Sequence, residues 1–186
     1  TKALEPLLAQ RRSVRSFAEA PLSLAELGQM LWAAQGINHP EGLRTAPSAG
    51  ALYPLELFVV VGAVDGLEAG IYRYRPERHR LEQTAAGDRR KSLARAALGQ
   101  SWIEDAAVVI VFSAIFERTR WKYGRRAARY VHMEVGHAGQ NLFLQAEALG
   151  LGTVVVGAFD DGEVADILEL TTGTAPLSLM PIGASH

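Results

Sequence analysis

The chain contains no cysteine, which removes disulfides, thiolate metal ligands and a cysteine nucleophile and fits a reducing compartment. Long apolar runs are missing as well. The longest, at residues 108–112 and 154–158, fall far short of the ~20 residues that a membrane span requires. No charged-then-apolar leader opens the chain, so a soluble, cytoplasmic protein is expected. The formal net charge is only −1, so no global field draws in nucleic acid. A Walker-type phosphate loop is absent. Gly150-Leu151-Gly152 precedes a predicted strand instead of opening a helix, which excludes a Rossmann fingerprint. No Gly-x-Ser-x-Gly elbow surrounds Ser48. His132 and His137 are five positions apart, which on a helix separates them by about 140°, unsuitable for one metal with Glu134. No metal site is expected.

What is present describes one globular domain. At 186 residues and 48% hydrophobic composition, the chain can bury roughly 70% of its unfolded surface. Of its 19 basic residues, three are Lys2, Lys91 and Lys122, which leaves 16 arginines. The arginines cluster at Arg11, Arg12 and Arg15, at residues 73–80 and at residues 118–129. Leu4, Leu7 and Leu8 have helical spacing up to Gln10. Ser23 with Glu26 reads as a capping box opening a second helix that Gly36 closes. Strands are predicted at residues 57–61, 71–75, 79–83, 106–114, 152–159 and 177–182, the second and third forming a hairpin around Pro76. Helices are predicted at residues 88–98 and 161–170, and a long one, with apolar positions every three or four residues, at 125–149. A helix of that length lines either the domain's own core or a subunit interface. Alternation of strands and helices indicates an α/β or α+β sandwich.

Two segments carry chemistry. In RTAPSAGALYPLELFVVV, residues 44–61, Ser48, Ala49, Gly50 and Ala51 have almost no side chain to hold a planar ring away. Gly50 takes positive φ at little cost, and Pro47 and Pro54 stiffen both ends. Such a loop either presses backbone amides against a flat ligand or merely connects two elements. In the extended stretch RRSVR, Arg11, Ser13 and Arg15 point one way and can converge on a dianion such as phosphate, while Arg12 leans elsewhere. The plain alternative is a solvated basic turn.

These segments, taken in order with PLSLAELGQMLWAAQGI, ERTRWKYGRRAARYVHMEVGHAGQNLFLQAEALGLGTVVVGAFDD and PLSLMPIGA, resemble the FMN-dependent nitroreductase superfamily over essentially the whole chain. More narrowly they are similar to its thiazole/oxazole-oxidase branch, the streptolysin-type dehydrogenases. The resemblance implies an α+β sandwich with a mixed central sheet of four or five strands wrapped by helices. It implies a homodimer joined through long helices, with FMN in two interface clefts. Arg11, Arg12, Ser13 and Arg15 would hold the FMN phosphate and ring edge from one subunit, and Pro47, Ser48 and Ala49 would cover the ring from the other. Gly157 and Ala158 would set backbone N–H groups near the flavin N5, and Gln100 lies near where the family places a polar side chain on the flavin. The basic residues near the C-terminus in the superfamily pattern have no clear counterpart here, so phosphate binding would lean on the N-terminal arginines.

Lys122 and Tyr123 match the branch's lysine–tyrosine pair, which serves proton transfer when an azoline is oxidised by hydride loss to the flavin and the flavin returns its electrons to dioxygen. Read without the resemblance, they are a surface charge and a helix-start aromatic. The substrate class so implied is a heterocyclised peptide or related small molecule. An NAD(P)H-dependent nitroaromatic or quinone reductase is the alternative, and a flavin-holding subunit of a modification complex is a third.

Overall fold

The computed structural model describes residues 3–185. Its centre is a six-stranded sheet built from β1 (Leu55–Val61), β2 (Gly70–Arg75), β3 (Arg80–Ala86), β4 (Val108–Ile115), β5 (Leu151–Thr153) and β6 (Thr174–Ala184), in the order β3-β2-β1-β4-β6-β5. Every neighbouring pair is antiparallel. The α+β sandwich therefore holds, with six strands and antiparallel pairing in place of a mixed sheet of four or five.

The central strands are continuous apolar runs because both faces of the sheet are covered. On β1, Leu57, Val59 and Val61 enter one core while Phe58 and Val60 enter the other. On β4, Val108, Ile110 and Phe112 alternate in the same way with Val109 and Val111. The first core is closed by α2 (Leu24–Gln35) and α6 (Ala127–Leu149), through Leu27, Met30 and Leu31 of the former and Val131, Ala138 and Leu142 of the latter. The second is closed by α3 (Arg90–Ala96), α4 (Trp102–Asp105) and α7 (Asp161–Ile167), through Leu93, Ile103 and Val164. Outside these layers lie α1 (Leu4–Gln10) and α5 (Glu117–Tyr123). No helix among the described residues is long and apolar enough to cross a membrane.

Local chemistry explains the boundaries. Ser23 accepts from the Glu26 N–H, and the Glu26 carboxylate accepts from the Ser23 N–H at 2.7 Å, so the capping box forms. Gly150, at φ +76°, ends α6 in the left-handed conformation. The strand predicted at residues 152–159 is shorter in the structure. Register runs on from the Thr153↔Ile182 pair to an isolated bridge at Val156↔Leu179, but Val154 stands opposite Pro181, which has no N–H to complete the ladder. The chain leaves the sheet there with Val155 exposed.

The strip after α1 lies against this edge. The Val14 N–H donates to the Thr153 carbonyl at 2.9 Å, and the Ala18 N–H donates to Ala184 at 3.0 Å. Such closeness requires bare backbone beneath it, since a β-carbon on Gly152 would sit 2.6 Å from Val14 Cγ1. Gly152→Val is expected to lower stability by about 1–3 kcal/mol, as overpacking does, and to release residues 11–15. Urea unfolding measures the loss, and an unchanged midpoint would show that the strip does not depend on this contact.

Candidate active site

The residues marked out by sequence fall into two clusters along α6. The first surrounds the cationic strip. Arg11 lies at the C-terminal cap of α1, with its guanidinium 5.1 Å from the centre of the Phe143 ring on α6. Arg15 stands 5.9 Å from the Trp102 ring of α4. Ser13 and Arg15 are exposed, whereas Arg12 folds back to donate to the carbonyls of Ala9 and Arg11 at 2.9 and 2.8 Å. The stretch carrying Gly157 and Ala158 is exposed after the Val156 bridge. Gln100 ties it down, its amide donating to the Ala158 carbonyl at 3.0 Å and to Ala97 at 2.8 Å. Downstream, the Asp160 N–H donates to Ala96 at 2.9 Å while its side chain caps α7. Gln100 and Ala158, 58 positions apart, are thus in direct contact.

The second cluster surrounds the bare loop. Ala49, Gly50 and Ala51 form a single 3-10 turn, and Gly50, Ala51 and Tyr53 all have positive φ, at 65°, 53° and 45°. Two of these are not glycine, so the loop is strained and needs its surroundings to hold it. Tyr53 supplies the grip. Its N–H donates to the Ser48 hydroxyl oxygen at 2.9 Å, its phenol oxygen accepts from the Arg44 N–H at 3.1 Å, and its carbonyl accepts from Arg118 at 3.1 Å. The Arg44 guanidinium covers its ring at 4.5 Å.

Against the outer side of this turn stand Lys122 and Tyr123, at the end of α5. A β-carbon placed on Gly50 would lie 2.9 Å from both the Lys122 Nζ and the Tyr123 hydroxyl. Tyr123 is held edge-on to Tyr130 of α6, with ring centres 4.8 Å apart, and Lys122 Nζ lies 5.6 Å from the Tyr123 ring centre. Sequence spacing set this pair just before the long helix; the structure adds α5, which reads poorly in sequence because Glu117–Tyr123 is short and almost wholly polar.

Glu134, set aside above as a metal ligand, has a different place in the structure. His132 and His137 are exposed, but Glu134 is 2% exposed and faces the loop. Burial pushes its carboxyl up to about 7, against the opposing effects of a hydrogen bond with Ser48 and the charge of Arg44. Its Oε1, the Arg44 Nε and the Gln35 Nε2 are buried without a partner among the described residues. Arg44 donates to Gln35 Oε1 at 2.9 Å, and burial lowers its guanidinium from the ordinary value. The only sequence signal for this network was a glutamate on the apolar side of a helix.

The α+β sandwich thus presents a cationic strip, a bare strained loop and an amine–phenol pair. The chain belongs to the nitroreductase family, whose sequence pattern matches residues 8–184. It is 49% identical over 180 residues, covering 97% of this chain and 90% of the other, to a Methanocaldococcus jannaschii protein described as a nitroreductase. It is 32% identical over 170 residues to the microcin B17-processing protein McbC of Escherichia coli, covering 87% of this chain but only 62% of McbC. A chain of the E. coli microcin synthetase McbBCD complex superposes with a TM-score of 0.81 at 29% identity, over 96% of this chain and 72% of that one. A nitroreductase-type structure from Ralstonia eutropha superposes at 0.88 with 30% identity, over 100% of this chain and 84% of its own.

Glu134 has a measurable consequence for stability. Its folded value, about 7, lies above its ordinary 4.5, so folding takes up a proton there. Its contribution is fully present below pH ~4.5 and is lost as pH rises to about 7. Glu134→Gln stays neutral, so urea unfolding from pH 4.5 to 8 should show the wild-type advantage over this variant declining across that window. A constant difference would mean that the carboxyl titrates normally.

Proposed function

We propose that this chain is an FMN-dependent azoline dehydrogenase that works as a homodimer on a thiazoline- or oxazoline-containing peptide or related small molecule. The observation that carries the reading is the meeting of the bare loop with the lysine–tyrosine pair at Gly50. A planar ring laid on the loop has an amine and a phenol beside it.

The residues present suit FMN. Exposed Arg15 and half-buried Arg11 supply cations for its phosphate, aided by Ser13 and Arg12. The main chain at Gly157 and Ala158, held by Gln100, offers N–H groups for a ring edge. Pro47, Ser48 and Ala49 cover the ring face. Bound there, FMN would supply a two-electron acceptor that is reoxidised by dioxygen.

The two clusters rest on different turns of α6 within a protomer. Glu134, beneath the loop, and Phe143, beneath Arg11, are separated by ~14 Å along α6 at 1.5 Å per residue. A second copy turned about a two-fold axis would bring the loop of one chain to the strip of the other. Exposed Trp121 of α5, Met133 of α6 and Leu4 and Leu8 of α1 give apolar surface for that contact.

In the reaction the azoline loses a hydride and a proton and becomes aromatic, while dioxygen takes the two electrons and leaves as hydrogen peroxide. Lys122 is the base that takes the proton, and the Tyr123 hydroxyl orients the ring nitrogen or relays the proton. A reductase reading has one specific support, the 49% identical relative described as a nitroreductase. It uses the same flavin with NAD(P)H as donor and needs no such base.

Lys122→Ala and Tyr123→Phe are each expected to lower azoline turnover by ~10²-fold or more, with bound FMN and its reduction by NAD(P)H unchanged. Steady-state assays with an azoline and with NAD(P)H plus a nitroaromatic check this. Turnover only with NAD(P)H, indifferent to both substitutions, would establish the reductase reading. Bound FMN with neither activity would leave a flavin-holding subunit.

A further inference from the structure

We propose that the cavity between the parting ends of β1 and β2 binds the carboxylate of a small organic acid. The site belongs to the free chain and stands independently of the flavin reading.

The cavity exists because two strands of one sheet separate. β1 pairs with β2 from Val61↔Gly70 only as far as Phe58↔Arg73. Beyond that pair β1 stays with β4 to Leu55↔Ala114, and β2 stays with β3 to Arg75↔Arg80. Residues 55–57 and 74–76 both line a cavity of about 330 Å³, with Arg44 and Tyr53 also in its wall. That volume suits a small ligand.

Its wall carries more cations than carboxylates. Arg44, Arg73, Arg75 and Arg118 line it, against Glu56 and Glu77. Glu56 is shared by two guanidiniums: its Oε2 accepts from Arg73 Nε and Nη2 at 2.9 and 2.7 Å, and its Oε1 pairs with Arg118 Nη2 at 2.5 Å. The Glu77 side chain is 65% exposed and approaches Arg44 only to 3.8 Å. Arg75 turns its Nε to Glu82 at 2.5 Å, a carboxylate that Arg80 also holds. Even with Glu82 and Arg80 counted, five guanidiniums stand against three carboxylates.

Donors remain unspent as well. The Arg73 Nη1, the Arg118 Nε and both terminal nitrogens of Arg75 meet no acceptor among the described residues. Gln35, which is 1% exposed, and Arg44 stand in the same wall, and the Nε2 of the one and the Nε of the other are buried without a partner. A carboxylate matches such a set, because its two oxygens accept forked pairs of N–H groups from planar guanidiniums. Phosphate carries the same kind of charge, and the rest of the lining decides between them. Leu52, Leu55, Leu57 and Pro76, with the rings of Tyr53 and Tyr74, offer apolar surface that only an organic body can use. An acid bound here lies against Arg118 and Tyr53, which are joined at 3.1 Å and hold the strained turn.

Calorimetric titration of the ligand-free full chain with benzoate, benzamide and inorganic phosphate tests this. Benzoate should bind at least ~10-fold more tightly than benzamide, its neutral isostere, and than phosphate, which has no apolar body. Arg73→Ala should weaken benzoate ~10-fold. Glu77→Gln changes an exposed side chain and so spares the fold; it should tighten benzoate ~3-fold by removing a like charge. Glu104→Gln makes the same change of charge on α4, ahead of the far end of β4, and should leave binding as it was. No benzoate binding by the wild-type chain, equal affinity for benzoate and benzamide, phosphate binding as tightly as benzoate, or equal effects of Glu77→Gln and Glu104→Gln would each overturn the proposal. A short peptide ending in phenylalanine, used as free acid and as amide, identifies the source of the acid. Binding of the free-acid form alone assigns the cavity to a chain end, binding of neither assigns it to a free small acid, and equal binding of both forms would contradict a carboxylate site.

Discussion

The site is governed by the rigidity of α6. A single 23-residue helix, ~34 Å long at 1.5 Å per residue, it packs on α2 and on the sheet, where Gly139 lies against Met180. Because its register is locked by Val131, Ala138, Leu142 and Ala146, everything that rests on it keeps a set spacing. The bare loop rests at Glu134 and the cationic strip at Phe143. Neither can slide toward the other without unpacking the core.

Around that helix, stability is given up where chemistry needs access. The loop accepts three positive φ angles in four residues, and the core accepts a carboxylate. Both costs are offset by the contacts of Tyr53, Arg44 and Arg118. What results is a surface of main chain and small side chains, firm enough to support a planar ring, with the amine and phenol at its border. The edge of β5 is treated in the same way. Bare backbone at Gly152 admits the arginine strip, and residues 157–158 lie exposed beyond the Val156 bridge.

Much of this was legible in the sequence. The capping box of α2, the apolar runs of β1 and β4, and the hairpin at Pro76 are local signals, and each formed as read. The end of β5 was not legible, because its cause lies in Pro181, a residue distant in sequence that fails to donate across the ladder. The helix α5 was hidden by its shortness and polarity. Among the site residues, the loop and the lysine–tyrosine pair could be marked by type and resemblance, but not their contact at Gly50, which depends on how α5 packs. Glu134 was weighed only as a metal ligand for a related reason, since only tertiary packing reveals that it is buried.

The claim that one flavin needs residues from two chains is tested most directly by complementation. An Arg11→Ala, Arg15→Ala double variant spoils the strip, and Gly50→Val spoils the loop, so each protein alone should purify without FMN. Co-expressed, the two should form mixed dimers in which one of the two sites is whole, restoring about a quarter of the wild-type flavin content when chains pair at random. Flavin absorbance of the purified mixture at that level is the result this account predicts. Flavin retained by either variant alone, or none recovered in the mixed dimer, would contradict it.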